Sequence, residues 1–251
     1  MQSRRNRVNG LTVAHAAHAG LWADRYLKDQ EPDRSSFRTL VAECSSIPQP
    51  AAYPTVFARW QDTLQALGAC LAERHTVYRL ASGHGRESVI ETGLTIHHTY
   101  GVPTIPGSSL KGVAAAFARQ ELDPGTWGKD SPAYRTLFGT TASAGYVTFL
   151  DALPVPNTPS APDSWKLRPD VLTVHHTGYY RGEGDAPADW DDPTPIPFLS
   201  VAGNFLIAVL PQAGATAWAT TALELLTLAL AESGVGGKTS SGYGRLVEVK
   251  A

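Results

Sequence analysis

The sequence predicts an α+β, ferredoxin-like fold with an N-terminal helical layer and one long insertion. From residue 75 onward the patterning runs strand, helix, strand, strand, helix, strand, which is the β-α-β-β-α-β order. Ahead of it lie two apolar stripes at helical spacing. Between the second and third core strands, a Pro/Asp/Gly-rich stretch from about 152 to 197 is too long for an ordinary connection. The expected division is therefore 1–74, a helical segment packed on the core, and 75–251, the ferredoxin-like domain.

In chain order, residues 11–29 read as a helix, with Leu11, Ala14, His18, Leu21, Trp22 and Arg25 at helical spacing around Gly20. A second helix is expected over 54–74. Pro54 suits its first turn, and Val56, Trp60, Leu64, Leu67 and Leu71 form its stripe. Residues 75–81 and 89–98 alternate like strands. Residues 108–122 carry Leu110, Val113, Ala114 and Phe117, an amphipathic helix. Residues 145–150 and 203–210 read as strands, 215–232 as a strongly apolar helix ending before Gly234, and RLVEV as the last strand.

The chain has 251 residues, 43% hydrophobic and 18% charged, enough for a sizeable core. A net charge of -2 excludes a broad electrostatic grip on nucleic acid, so any such contact must be local. Cys44 and Cys70 lack metal-ligand spacing and are expected to be reduced thiols. With no signal-peptide layout and no stretch of membrane-spanning length, the expected location is the cytoplasm, without a membrane partner.

Residues 234–245, GVGGKTSSGYGR, bear a superficial likeness to a nucleotide-binding P-loop. That loop requires G-x-x-x-x-G-K-[ST] between a strand and a helix. Counting back from Gly237, Lys238 and Thr239, the first glycine should stand where Glu232 does. The context is also reversed, with a helix before and a strand after, so ATP or GTP hydrolysis is excluded. A helix cap and a bulge account for Gly234 and one more glycine. Five glycines interleaved with hydroxyls, Lys238 and Arg245 suggest instead a loop that approaches phosphates closely, with Tyr243 able to stack on a base.

A second anion site is suggested by GVPTIPGSSLKG at 101–112. Pro103 and Pro106 extend the chain, Gly107 turns it, and Ser108 or Ser109 caps the helix beside Lys111.

These pieces together resemble the RAMP superfamily, the RNA-binding subunits of CRISPR–Cas effector complexes. The resemblance covers most of 18–249 and rests on IPGSSLKG and GVGGKTSSGYGR, with GLWADRYL, YRTLFGT, GYVTFLDALP and DVLTVHHTGYY between or before them. The HTGYY and PADW blocks narrow it to the Cmr-type family numbered six in type III-B complexes. It implies a RAMP core of ferredoxin-like (RRM-like) form. It also implies a noncatalytic guide-RNA-binding subunit of an antiviral ribonucleoprotein, near the 3′ end of the crRNA. The implied partners are crRNA, target RNA, other Cmr-type RAMP subunits and small helical subunits, with no cofactor and no metal. By resemblance, Gly234, Gly236, Gly237, Lys238, Thr239, Ser240, Ser241, Gly242, Tyr243 and Arg245 track the guide backbone, and Ser108, Ser109 and Lys111 lie near the same RNA. An element projecting from the insertion would reach the guide–target duplex or a neighbouring subunit. Trp190, Tyr179 and Tyr180 are the aromatic candidates there.

His97 with His98, and His175 with His176, are adjacent pairs. Neighbours on a strand face opposite ways, so one pair does not easily chelate one metal. One histidine of each pair is expected to be buried and hydrogen-bonded, the other to face RNA or solvent. Histidine also serves metal-free RNA cleavage. The alternative is therefore an endoribonuclease that processes guide RNA, with His97, His98 or His175 beside Lys111 or Lys238, and Asp151 as a carboxylate near RNA or as a turn cap.

Overall fold

The computed structural model describes residues 10–28, 34–182, 186–188 and 193–249. Its axis is β5 (Thr194–Pro211), a strand of 18 residues. β1 (Cys70–Thr76) runs antiparallel along one side, with Cys70 opposite Val209 and His75 opposite Asn204. β6 (Leu246–Glu248) pairs with the outer edge of β1. Along the other side of β5 lie β2 (Val147–Phe149), β3 (Leu153–Pro154) and β4 (Trp165–Val174). The order β2-β5-β1-β6 is that of a ferredoxin-like sheet.

Two helices cover this sheet. α4 (Gly107–Glu121) buries Leu110, Ala114, Phe117 and Ala118, one stripe at helical period. α8 (Thr216–Glu232) buries Leu225, Leu226, Ala229 and Leu230. The helices pack on each other, and α8 packs on β5, β1 and β6. Each fully buried Leu or Phe of this layer contributes about 2 kcal/mol of apolar transfer. The short helices α5 (Pro124–Trp127) and α6 (Pro132–Phe138) connect α4 to β2.

The N-terminal layer differs from the expectation in three ways. α1 spans only Ala19–Arg25, because the His18 Nδ1 accepts the Leu21 N–H at 3.0 Å and starts the helix there. Residues 29–33 lie outside the described residues. A helix without a counterpart in the sequence reading, α2 (Ser35–Ser46), buries Phe37, Leu40, Val41 and Cys44 against β4 and β5. Those four positions are an i, i+3, i+4, i+7 stripe, so the signal was present. α3 (Tyr53–Ala66) ends before Gly68, and residues 70–74, expected to be helical, open β1 instead. The Tyr53 hydroxyl ties α3 to the sheet by donating to the Pro154 carbonyl at 2.6 Å. Leu40, Tyr53, Leu110 and Leu226 belong to one continuous core.

Two further expectations are corrected. Residues 89–98 form no strand; Thr95 N–H donates to the Ser82 carbonyl and His97 N–H to the Val102 carbonyl. The segment folds back on itself, with Ile96 bridged to Pro103, and a proline cannot donate to extend a ladder. Much of the described part of 152–197 is regular. It holds β3, all of β4, α7 (Thr177–Arg181) and the start of β5. β4 and β5 form a ten-pair hairpin from Trp165 opposite Gly203 to Val174 opposite Thr194. Pro169, Pro195 and Pro197 disguise it in the sequence, since proline reads as a strand breaker.

Candidate nucleic-acid interface

The loop after α8 is built by the fold. Gly234 closes the helix by donating to the Ala229 carbonyl at 3.0 Å. Val235 and Gly244 then face each other across the loop, Val235 N–H donating to the Gly244 carbonyl at 2.9 Å. The Gly237 N–H is spent on the Ala81 carbonyl. At the apex Lys238 adopts a left-handed conformation, φ 61°, and leads into a 3-10 turn, Thr239–Ser241. Within the turn, Ser241 N–H returns to Lys238 and Gly242 N–H to Thr239. The apex therefore presents Lys238, Thr239 and Ser240 with backbone N–H groups that no backbone acceptor takes, beside exposed Ser240, Ser241 and Arg245. Cations, hydroxyls and spare N–H groups on one turn are a phosphate-binding arrangement.

Tyr243 departs from the sequence reading. Its ring is buried between Phe198 and Tyr78, whose edge meets it at 5.4 Å. Its hydroxyl donates to Asp170 Oδ2 at 2.5 Å, and Arg79 Nη1 pairs with the same oxygen at 2.7 Å. Burial, then the bond to Asp170, pushes the phenol pKa well above its ordinary value. The ring anchors the loop to the hairpin and offers no free face for a base. Removing the carboxylate should be costly, because Arg79 and Tyr243 would lose a shared, mostly buried partner. Asp170→Ala is expected to lose about 2 kcal/mol, lowering Tm by about 5 °C. Thermal unfolding measures it, and an unchanged Tm would remove the anchor from this account.

The structure brings His84 to the loop, a residue the sequence reading passed over. A Cβ on Gly237 would lie 3.0 Å from the His84 Cβ, and the imidazole stands edge-on to Phe198. His84 Nδ1 is buried, without a hydrogen-bond partner among the described residues. Burial, then the Lys238 ammonium, lowers its pKa below the ordinary 6.5. The folded state therefore prefers neutral His84, and its stability is present above pH 6.5 and lost as the pH falls through that value. His97 shifts in the same direction. Denaturant unfolding between pH 7.5 and about 5 should show this decline, and His84→Phe should flatten it. An equally steep decline in the variant would exclude His84 as its source.

The start of α4 is not the expected serine-capped anion site. The cap residue is Pro106, with no side-chain cap bond, and Ser108, Ser109 and Lys111 are exposed. The Gly107 N–H donates instead to Asp151 Oδ1 at 2.7 Å. Gly107 packs so closely on the end of β2 that a Cβ would overlap the Phe149 carbonyl oxygen, which places Asp151 at the helix terminus. A carboxylate there answers the helix dipole and repels a second anion.

Of the paired histidines, His97 is half-buried. Its Nδ1 accepts from Thr99 N–H at 3.2 Å, and its ring stacks on Tyr100 at 4.6 Å. Burial lowers its pKa, and Asp151 opposes this. His98 is exposed, and its carbonyl accepts from His18 Nε2. His175 is exposed and His176 half-buried at the far end of the hairpin, beside α7 with its exposed Tyr179 and Tyr180. Trp190 lies outside the described residues. Among the described residues no hydrogen bond or ion pair joins the loop to the start of α4, and no cluster of His, Cys, Asp and Glu could hold a metal ion. None of the described helices is long and apolar enough to cross a membrane.

The chain thus joins a ferredoxin-like sheet to a glycine-rich cationic loop between its last helix and last strand. The RAMP superfamily model matches residues 75–247, and the chain belongs to that superfamily. Within it, the chain is similar to the CRISPR system Cmr subunit Cmr6 of Pyrococcus furiosus, 33% identical over 260 residues, spanning 80% of this chain and 75% of that protein. Among solved structures, a cryo-EM structure of the type III-B Cmr-beta bound to cognate target RNA has a chain of the same fold. That match has a TM-score of 0.67 at 21% identity, covering 86% of this chain and 72% of the other. The crystal structure of Cmr6 from Pyrococcus furiosus matches with TM-score 0.47 at 31% identity over 72% of this chain and 98% of that one.

Proposed function

We propose that this chain is a noncatalytic guide-RNA-binding subunit of a type III-B CRISPR effector complex, seated near the 3′ end of the crRNA. The observation that carries this reading is the loop apex, where Lys238 and the Thr239–Ser241 turn hold a cation, hydroxyls and spare N–H groups on one surface. The likeness to Cmr6 supports the complex type. A net charge of -2 leaves little attraction for RNA outside such local sites. Binding then depends on neighbouring subunits that share the same strand and act by effective concentration. The exposed tip of the hairpin, with His175, Tyr179 and Tyr180, is the surface we assign to the guide–target duplex or a neighbour. Size-exclusion chromatography tests this. The lone chain should elute apart from guide RNA and co-elute with it once the other Cmr-type subunits are added. Failure to join that assembly would reject the reading.

A second reading is favoured by one observation. His84 stands beside Lys238 with its pKa lowered by burial and by that ammonium, and with Nδ1 buried its Nε2 is the nitrogen that would act as a general base beside a phosphate-binding cation. Under that reading the chain is a metal-independent endoribonuclease. Cleavage of labelled guide RNA that persists in chelator and vanishes in His84→Ala would select it.

A further inference from the structure

Between α1 and the turns of residues 86–98 lies a cavity of about 380 Å3, at the small end of the range of ligand sites, about 300–1,000 Å3. Ile90, Ile96 and Leu199 line it. Thr92 lines it too, and its Oγ1 is buried with no hydrogen-bond partner among the described residues. A buried hydroxyl without a partner is an unmet demand that a polar heterocycle answers and an aliphatic ligand does not. Arg25 and Arg86 lie on the exposed side of the cavity, offset by Asp24 and Glu87. The balance disfavours a polyanion, whereas guanidinium planes and apolar walls suit a flat base.

The cavity also lies on a path from the loop. His84 packs against Gly237, and Arg86, two residues on in the same Gly83–Arg86 turn, lines the cavity; two residues of chain span at most about 7 Å. Phe198 meets His84, and its neighbour Leu199 lines the cavity. The turn that carries His84 at the loop thus also carries Arg86 at the cavity, so the two sites are neighbours on one surface.

We propose that the cavity receives one unstacked nucleobase of the RNA held by the 234–245 loop. The inference rests on the RNA-binding reading above and adds a second, base-holding subsite to it. The base sits on Ile90, Ile96 and Leu199, meets the Thr92 hydroxyl with its polar edge, and lies beneath Arg25 or Arg86.

The test is photocrosslinking of the full chain, assembled with the other Cmr-type subunits, to guide RNA substituted with thiouridine, with the sites on this chain mapped by mass spectrometry. The wild type should crosslink both in 234–245 and at cavity residues. Leu21→Trp fills the opening from a position that is 52% exposed, so the fold should tolerate it. It should abolish the cavity crosslinks, retain those in the loop, and weaken RNA binding about tenfold. Thr92→Val, nearly isosteric, should reduce cavity crosslinking with an unchanged Tm. Crosslinks confined to the loop, or cavity crosslinks undiminished in Leu21→Trp, would overturn the cavity proposal and leave the RNA-binding reading standing. Guide RNA that crosslinks nowhere on this chain within the assembled complex would defeat both.

Discussion

Gly244→Ala is expected to lose about 3 kcal/mol or more of stability, a fall of about 10 °C in Tm. Gly244 has φ 73°, where an L-residue carries about 1–2 kcal/mol of strain. A Cβ there would meet the Val235 carbonyl oxygen at a distance no real contact shows. That oxygen is backbone, so no rotamer change relieves the clash. Gly244 also exchanges hydrogen bonds with Arg79 and Val235, so a shift of the chain breaks the closure of the loop. Gly242 supplies the control. Its φ is 88°, but a Cβ on it would meet nothing within 4 Å. Gly242→Ala should lose only about 1 kcal/mol. Differential scanning calorimetry of the pair decides it, and equal losses would sink the packing argument.

The second large effect concerns RNA. Lys238→Ala with Arg245→Ala should weaken binding of the assembled complex to guide RNA by about tenfold to a hundredfold across sequences. It should also flatten the dependence of log affinity on log salt by about 1.4, since each phosphate contact on a single strand contributes about 0.7. Lys111→Ala should do much less, because Asp151 already occupies the helix terminus beside it. Filter binding over a salt series reads both quantities. A double variant with wild-type affinity and slope would reduce the loop to a cap and a turn.

The core was legible because its signals are local. α4, α8 and β6 each carry their pattern within one window, and Gly234 ends α8 where a C-cap glycine should. The hairpin was not, because Pro169, Pro195 and Pro197 sit inside paired strands and argue locally against them. The candidate site was half legible. Lys238 and Arg245 stand out in the loop sequence, yet four of its glycines lie at positive φ, a demand of the backbone itself. Tyr243 looked available for stacking because its partner, Asp170, is 73 residues away in sequence. His84 escaped notice for the same reason, since only folding brings it to Gly237.

β5 has a mechanical consequence. One uninterrupted strand serves the sheet at one end and the hairpin at the other. Where the two meet, the Gly203 N–H leaves the ladder and is clamped by Thr76 Oγ1 at 2.9 Å, deep in the interior. Rungs of an antiparallel ladder lie across the strand, so tension along β5 loads many of them together in shear. The hairpin is thus a cantilever with a fixed root. Its tip stands about 13 Å beyond Asp170, four residues at the rise of a strand. Its direction is set when the chain folds, so whatever grips the tip meets a beam already aimed and loses little entropy in holding it.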